Sequence, residues 1–275
     1  MLNQFTRNVA ATLGRHFVTL SCQQHLPPSD RPNTLVFSGF VVAILGEWFY
    51  VTAGHVLHDI HAATQAGALF DAWRLGDHTA GNTFKGAAVP YDFDMDRWLV
   101  LDNRDTGLDY AIVHIHGLVR LQLEAGGVIA IDKEAWSDHA TAYDHWALVG
   151  VPSESVAYDG ATVINARVVL VPMVATDPPA TAGVKASNQF YARPSEPSDA
   201  FFKEPDGFSG APVFSLVYRE ERWLYNVIGV QSSWYPESGT LAACPFSTFA
   251  KEIEEVVAEA LEVHAAQVRS TTGAA

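Results

Sequence analysis

From about Leu35 onward the hydrophobic positions fall in short runs rich in β-branched and aromatic residues, separated by polar or Gly-containing breaks. This pattern predicts an all-β chain. The stretch from Ser38 to His55 reads as a hairpin, with GFVVAI and EWFYVTAGH on either side of Leu45-Gly46-Glu47. A second hairpin is signalled by Asp159-Gly160 between SVAY and ATVINARVVLV, because Asp-Gly readily supplies the positive φ of a tight turn. A third surrounds Arg219 to Arg222 and joins PVFSLVY to WLYNVIGV.

Helical spacing is confined to the ends. Residues 2–13 form a short helix, and from Ser247 the segment FAKEIEEVVAEALEVHAAQV places apolar residues at three- and four-residue steps, with Ser247 as its cap. The acidic face of that terminal helix reads as solvated surface. Residues 61–90 are small, polar and Gly-rich, and 176–206 carry PP, RPSEPSD and KEPDG, so both are expected to be long surface loops. No internal repeat is visible.

A chain of 275 residues with 48% hydrophobic and 17% charged residues can bury a full core and has no disordered composition. Its formal charge of −14, without a Lys/Arg cluster, argues against nucleic acid or an anionic membrane as partner. Cys22 and Cys244 are the only cysteines, too few for a disulfide framework. The N-terminal segment does not read as a signal peptide, and no segment has the unbroken apolar length of a membrane span. A cytoplasmic location is the resulting expectation.

The most unusual local sequence is GFSGAP at 207–212, one serine among small residues between a loop and a strand. Its glycines let the backbone bend so that the N–H groups of Gly207 and Ser209 could converge on an oxyanion, although the hexapeptide alone fits a Gly-rich turn equally well. A serine hydroxyl needs a base within hydrogen-bond reach, and that base needs a carboxylate to fix its tautomer. Among the 11 histidines, His55 follows the apolar strand WFYVTAG and opens a helical turn, HVLHDI. His58 and His61 fall on the outer face of that turn. Asp109 enters the apolar run DYAIVHI, whereas Asp102 and Asp105 sit in the polar segment LDNRD and are expected to be solvated.

In this order, VTAGH, LDYAIV and GFSGAP resemble the three signature segments of chymotrypsin-like (trypsin-like) serine proteases, with separations of 54 and 100 residues. The resemblance covers about residues 35–265 and implies an all-β fold of two six-stranded antiparallel β-barrels with a C-terminal α-helix. The first barrel would span 35–120 after a lead-in of 1–34, the second 121–246, and the helix and tail 247–275. It further implies a serine-type endopeptidase with His55 as general base, Asp109 as its orienting partner, Ser209 as nucleophile and Gly207 with Ser209 as oxyanion hole. Such chemistry requires no cofactor and no metal. Its partner is a protein or peptide substrate, and a regulatory partner protein is compatible with it.

The segment IGVQSSW at 228–234 resembles the strand that borders the substrate backbone, which places Ser232 beside the triad; as a residue in its own right it reads equally as a buried polar group on a core strand. Six positions before Ser209, Lys203 corresponds to the base of the specificity pocket and would favour Asp or Glu before the scissile bond. If the KEPDG loop is displaced, Lys203 is a solvated surface lysine instead. Phe208 stands where trypsin-type enzymes carry an Asp, no IVGG-like activation sequence is present, and Val56 replaces a common cysteine. These departures are those of an intracellular, bacterial-type member.

Three other classes compete. An α/β-hydrolase needs the order Ser, acid, His and a glycine at 211, where Ala211 stands. A metal site could draw on His114 and His116, or on His55, His58 and His61, but neither set has further ligands at a recognisable spacing. The third is a catalytically silent, protease-shaped protein-binding module, which a malformed loop around Phe208 would produce.

Overall fold

The computed structural model describes residues 4–28, 31–76, 89–103, 105–140, 143, 145–158, 164–197 and 201–272. Helix α1 (Gln4–Leu13) leads into strand β1 (Phe17–His25), followed by β2 (Asn33–Ile44) and β3 (Glu47–Thr52). Helix α2 (Gly54–Gln65) and strands β4 (Leu69–Leu75), β5 (Val89–Pro90), β6 (Leu99–Asn103) and β7 (Leu108–Ile115) complete the first unit. These strands form one antiparallel sheet in the order β5-β4-β1-β2-β3-β7-β6.

Six long strands are present there as expected, with the two-residue β5 added, and among the described residues no ladder joins β5 to β6 at the ends of the sheet. The lead-in of residues 1–34 contains β1, which pairs with both β2 and β4. The sheet therefore begins at Phe17, well before Leu35. Sequence patterning passed over this strand because FVTLSCQQH ends in polar residues.

After helix α3 (Gly117–Ala125), the second unit is built from β8 (His145–Gly150), β9 (Ala157–Tyr158), β10 (Ile164–Asn165), β11 (Val169–Thr176), β12 (Phe190–Pro194), β13 (Pro212–Arg219), β14 (Arg222–Tyr235) and β15 (Thr240–Pro245). Six of these close into a barrel in the order β11-β12-β15-β14-β13-β8.

The hairpins follow the turn chemistry of the sequence. In β2–β3 the turn is Leu45-Gly46, with φ of 52° and 85°, and in β13–β14 it is Glu220-Glu221, with φ of 51° and 61°. Both positive φ values match the right-handed twist of the flanking strands. β9 and β10 pair as the second hairpin requires, while the Asp159-Gly160 turn lies outside the described residues.

The two long loops are only partly loops. Helix α2 runs on to Gln65 and β4 occupies Leu69–Leu75, with 77–88 outside the described residues. Within 176–206, a 3-10 segment spans Ala180–Ser187 and β12 pairs with both β11 and β15. The apolar run Phe190-Tyr191-Ala192 is too short to show a period, so only its two neighbours make it a strand.

One hydrophobic cluster crosses between the units and fixes their relation. It joins Phe40, Val42 and Ile112 of the first sheet to Phe214, Val230 and Cys244 of the barrel. Helix α4 (Phe246–Thr272) seals it with Phe246, Phe249, Ala250 and Ile253, one face at i, i+3, i+4 and i+7. Tyr110 stacks on Phe249 with ring centroids 4.2 Å apart and donates its hydroxyl to the Pro245 carbonyl at 2.7 Å. Ser247 lies inside the first turn of α4, which starts two residues earlier than the cap assignment required. On the acidic face Glu254 is not merely solvated, since it pairs with Lys133.

Candidate active site

Strand β3 delivers the chain to the N-terminus of α2, where His55 is the second helical residue. The residue preceding the helix, Ala53, makes no side-chain cap, so the early N–H groups of α2 need another acceptor. Asp109, near the start of β7, supplies it: its Oδ1 accepts the His55 backbone N–H at 2.8 Å. The same carboxylate accepts from the His55 ring at Nδ1 through Oδ2, at 2.7 Å. One side chain thus caps the helix and orients the imidazole.

On its far side the ring meets the second unit, with His55 Nε2 2.8 Å from Ser209 Oγ. Ser232, buried on β14, donates its hydroxyl to Asp109 Oδ2 at 2.5 Å. The structure therefore brings His55, Asp109, Ser209 and Ser232 into one hydrogen-bonded chain.

Burial by itself would lower the His55 pKa, but the hydrogen bond and charge of Asp109, with the charges of Asp59 and Asp102, outweigh it and hold the imidazole above its ordinary value. Burial would likewise raise the Asp109 pKa, and it is overcome by the hydrogen bond and charge of His55 and the hydroxyl of Ser232, leaving the carboxyl below its usual range. Asp102, expected to be solvated, is instead on strand β6 with its side chain 8% exposed, 3.8 Å from His58. LDNRD did not read as a strand because only its first residue is apolar, and pairing with β7 makes Leu101–Asn103 part of one.

The loop around Ser209 is held from both units. The Asp206 carbonyl accepts the Ser153 N–H at 2.7 Å, which turns the N–H of Gly207, across the same peptide, the opposite way. Ser38 Oγ donates to the Gly207 carbonyl at 2.6 Å and accepts the Val151 N–H at 3.1 Å. Among the described residues, neither the Gly207 nor the Ser209 N–H donates to a protein acceptor, so both are available for a ligand oxygen. Gly210 has φ of 88°, and a Cβ there would lie 2.0 Å from Thr52 Oγ1 and 2.5 Å from the Ser38 carbonyl. Only glycine lets the loop come this close to the first sheet.

Phe208, in the position of the expected trypsin-type Asp, is fully buried. Its ring lies edge-on to Phe202 at 5.0 Å, and Phe202 in turn lies edge-on to Trp234 of β14 at 6.3 Å. A Cβ on Gly150 would sit 2.5 Å from Phe208 Cδ1, so the ring fills the space that a β8 side chain would take. The loop is anchored by apolar packing.

Lys203 is not brought to the site. It is exposed, it lines neither cleft beside His55, and its N–H is held at 2.7 Å by Glu154, whose other oxygen takes the Glu204 N–H at 2.9 Å. That carboxylate fixes the backbone of the KEPDG loop with the Lys203 side chain exposed. Of the other candidate histidines, His114 pairs with Glu47 at 3.0 Å and His58 with Asp102 at 3.8 Å. Both cysteines are free and buried, and burial pushes their thiols up to about 12, which removes them as nucleophiles.

Two residues of the site escaped sequence reasoning. Ser38 is a strand serine with no local signal, and its role exists only because β2 passes beneath a loop 169 residues away. Gln189, buried beside the site, donates to the Gly107 carbonyl at 2.9 Å and to Ser232 at 3.4 Å, fixing the turn before Asp109 to the strand that carries Ser232.

No family model and no curated protein sequence matches the chain. Among solved structures, the scabies mite inactivated protease paralogue S-D1 superposes with a TM-score of 0.53 at 12% identity, covering 90% of this chain and 94% of that one. The related scabies mite paralogue S-I1 gives 0.52 at 15% identity, covering 88% and 94%. The protease Anisep from Arthrobacter nicotinovorans gives 0.48 at 16%, covering 84% and 90%. The fold is that of the chymotrypsin-like double barrel. Among the described residues no helix is long and apolar enough to cross a membrane.

Proposed function

We propose that the protein is a serine endopeptidase with Ser209 as nucleophile, His55 as general base and acid, and Asp109 as the residue that orients and electrostatically supports the imidazole. The observation that carries this reading is the unbroken hydrogen-bond chain from Ser209 Oγ through His55 to Asp109. In the reaction His55 Nε2 takes the hydroxyl proton as Ser209 Oγ attacks a peptide carbonyl. The oxyanion that forms is met by the N–H groups of Gly207 and Ser209. His55 then protonates the departing amine, and water repeats the sequence on the acyl-enzyme.

The reading includes a cytoplasmic setting, supported by two unbridged, buried cysteines. Its test is labelling with a fluorophosphonate, which reacts only with an activated serine. An adduct on Ser209 that is lost in His55→Ala supports the proposal, and an unlabelled wild-type protein overturns it.

A second reading, a catalytically silent protein-binding module, draws on the fact that two structural neighbours carry the name of inactivated protease paralogues. The free Gly207 and Ser209 N–H groups and the complete His55–Ser209 hydrogen bond favour turnover instead.

A further inference from the structure

Two clefts flank His55, and they differ in chemistry. One is polar, lined by Asp102, Asp109, Lys185, Gln189, Ser232 and Ser233. The other, of about 430 Å³, reaches Ser209 and Gly207 and is walled by Leu35 and Phe37 of β2, Val56 and Ile60 of α2, Phe70 of β4 and Val156. They share only His55 and Asp59, so the imidazole stands between them.

An extended substrate attacked at Ser209 must lay one half on each side of that imidazole. Beyond Gln231, β14 has no strand partner among the described residues on the side facing the Ser209 loop, since pairing with β13 ends at Val230. That edge offers backbone hydrogen bonds, which hold a peptide whatever its side chains. Such holding suits the acyl half, which must stay in register until water has attacked. The leaving half, whose nitrogen takes its proton from His55, falls to the apolar cleft.

We propose that this cleft binds the leaving-group half of the substrate and selects peptides with an apolar residue directly after the scissile bond. The proposal rests on the peptidase reading and adds the substrate class. Leu35, Ile60 and Phe70 give the cleft its apolar surface, and Asp59 and Asp206 within it disfavour acidic side chains. Discrimination then resides here, while Lys203 has no part in it and the aromatic set Phe202, Phe208 and Trp234 occupies the region between the 202–208 loop and the end of β14.

The decisive experiment loads Ser209 from the para-nitrophenyl ester of an N-acylated amino acid and lets the acyl-enzyme partition between water and added amino-acid amides. The amine nitrogen attacks the ester carbon and passes a proton to His55; the C–N bond forms, the C–Oγ bond breaks, and Oγ recovers a proton from His55. This is the acylation step in reverse, so the amine must occupy the leaving-group site. Leucinamide and phenylalaninamide should capture the acyl group at least about tenfold better than glycinamide or serinamide at equal free-base concentration. Leu35→Asp should abolish that preference; Leu35 is half-buried and belongs to none of the packed clusters, so the carboxylate is tolerated there. Equal capture of all four amides by the wild type, or an undiminished preference in Leu35→Asp, would overturn the assignment while leaving the peptidase reading intact. Failure to release nitrophenol with an acyl adduct on Ser209 would overturn the peptidase reading and this one with it.

Discussion

Asp109 Oδ2 accepts two hydrogen bonds, one from the His55 ring and one from Ser232 Oγ, while Oδ1 accepts the His55 backbone N–H. Three donors around one buried carboxylate keep it ionised and fix the ring that faces Ser209.

Ser209→Ala removes the nucleophile and one oxygen, so peptidase turnover should fall on the order of 10⁶-fold with the circular-dichroism spectrum unchanged. His55→Ala should lose a similar factor because the residues act as a unit. Asp109→Asn should cost about 10⁴-fold, the handed tautomer being the wrong one for accepting the Ser209 proton. Turnover in Ser209→Ala close to that of the wild type would show that another residue is the nucleophile.

Ser232→Ala deletes one charge-assisted hydrogen bond and leaves two in place. With such a bond contributing roughly 1.5–3 kcal/mol, turnover should drop by about 10- to 100-fold, well short of the Asp109→Asn loss. Steady-state kinetics of the two variants side by side check the ranking, and equal losses would mean that Ser232 is as necessary as the carboxylate.

The pH dependence follows from the raised pKa of His55. Only the neutral imidazole accepts the serine proton, so kcat/KM should climb with pH through a midpoint above the ordinary histidine value. Asp59 stabilises the imidazolium, and Asp59→Asn should therefore move that limb to lower pH. Profiles recorded from about pH 5 to about pH 9 on both proteins provide the comparison. A limb that stays in place in Asp59→Asn would remove Asp59 from the electrostatics of the site.

Gly150→Ala tests the apolar anchor of the oxyanion loop. The new methyl meets Phe208 at 2.5 Å and must displace the ring next to Ser209, so kcat should fall more than KM rises. Phe208→Ala should lower unfolding stability by about 3–5 kcal/mol, read from urea melts, because it empties a fully buried aromatic site. Unaltered kcat in Gly150→Ala would detach the Phe208 packing from the geometry of the loop.

Lys203→Glu should leave the ranking of Glu, Leu and Arg before the scissile bond unchanged, because the side chain is exposed and lines neither cleft. A reversal of charge preference in matched peptides would restore Lys203 to a pocket that the observed loop does not form.

The sequence by itself determined the β-rich class, the hairpins at Leu45-Gly46 and around Glu220-Glu221, the terminal helix, and the three segments that carry His55, Asp109 and Ser209. Those features are local: turn residues select positive φ, alternation selects strands, and small residues around one serine make a tight loop. Tertiary structure decided what lies far apart in the chain. β1, β4 and β12 are strands only because their neighbours pair with them, and Asp102 is in a strand only because β6 pairs with β7. Ser38 and Gln189 join the site across 169 and 82 residues respectively, distances at which no local pattern records a hydrogen bond. Lys203 shows the reverse case, since the resemblance implied a pocket base six positions before Ser209 while Glu154 holds the Lys203 and Glu204 N–H groups and the Lys203 side chain is exposed. Spacing along a chain fixes direction only while the backbone stays regular, and in a turn a single carboxylate from elsewhere is enough to redirect it.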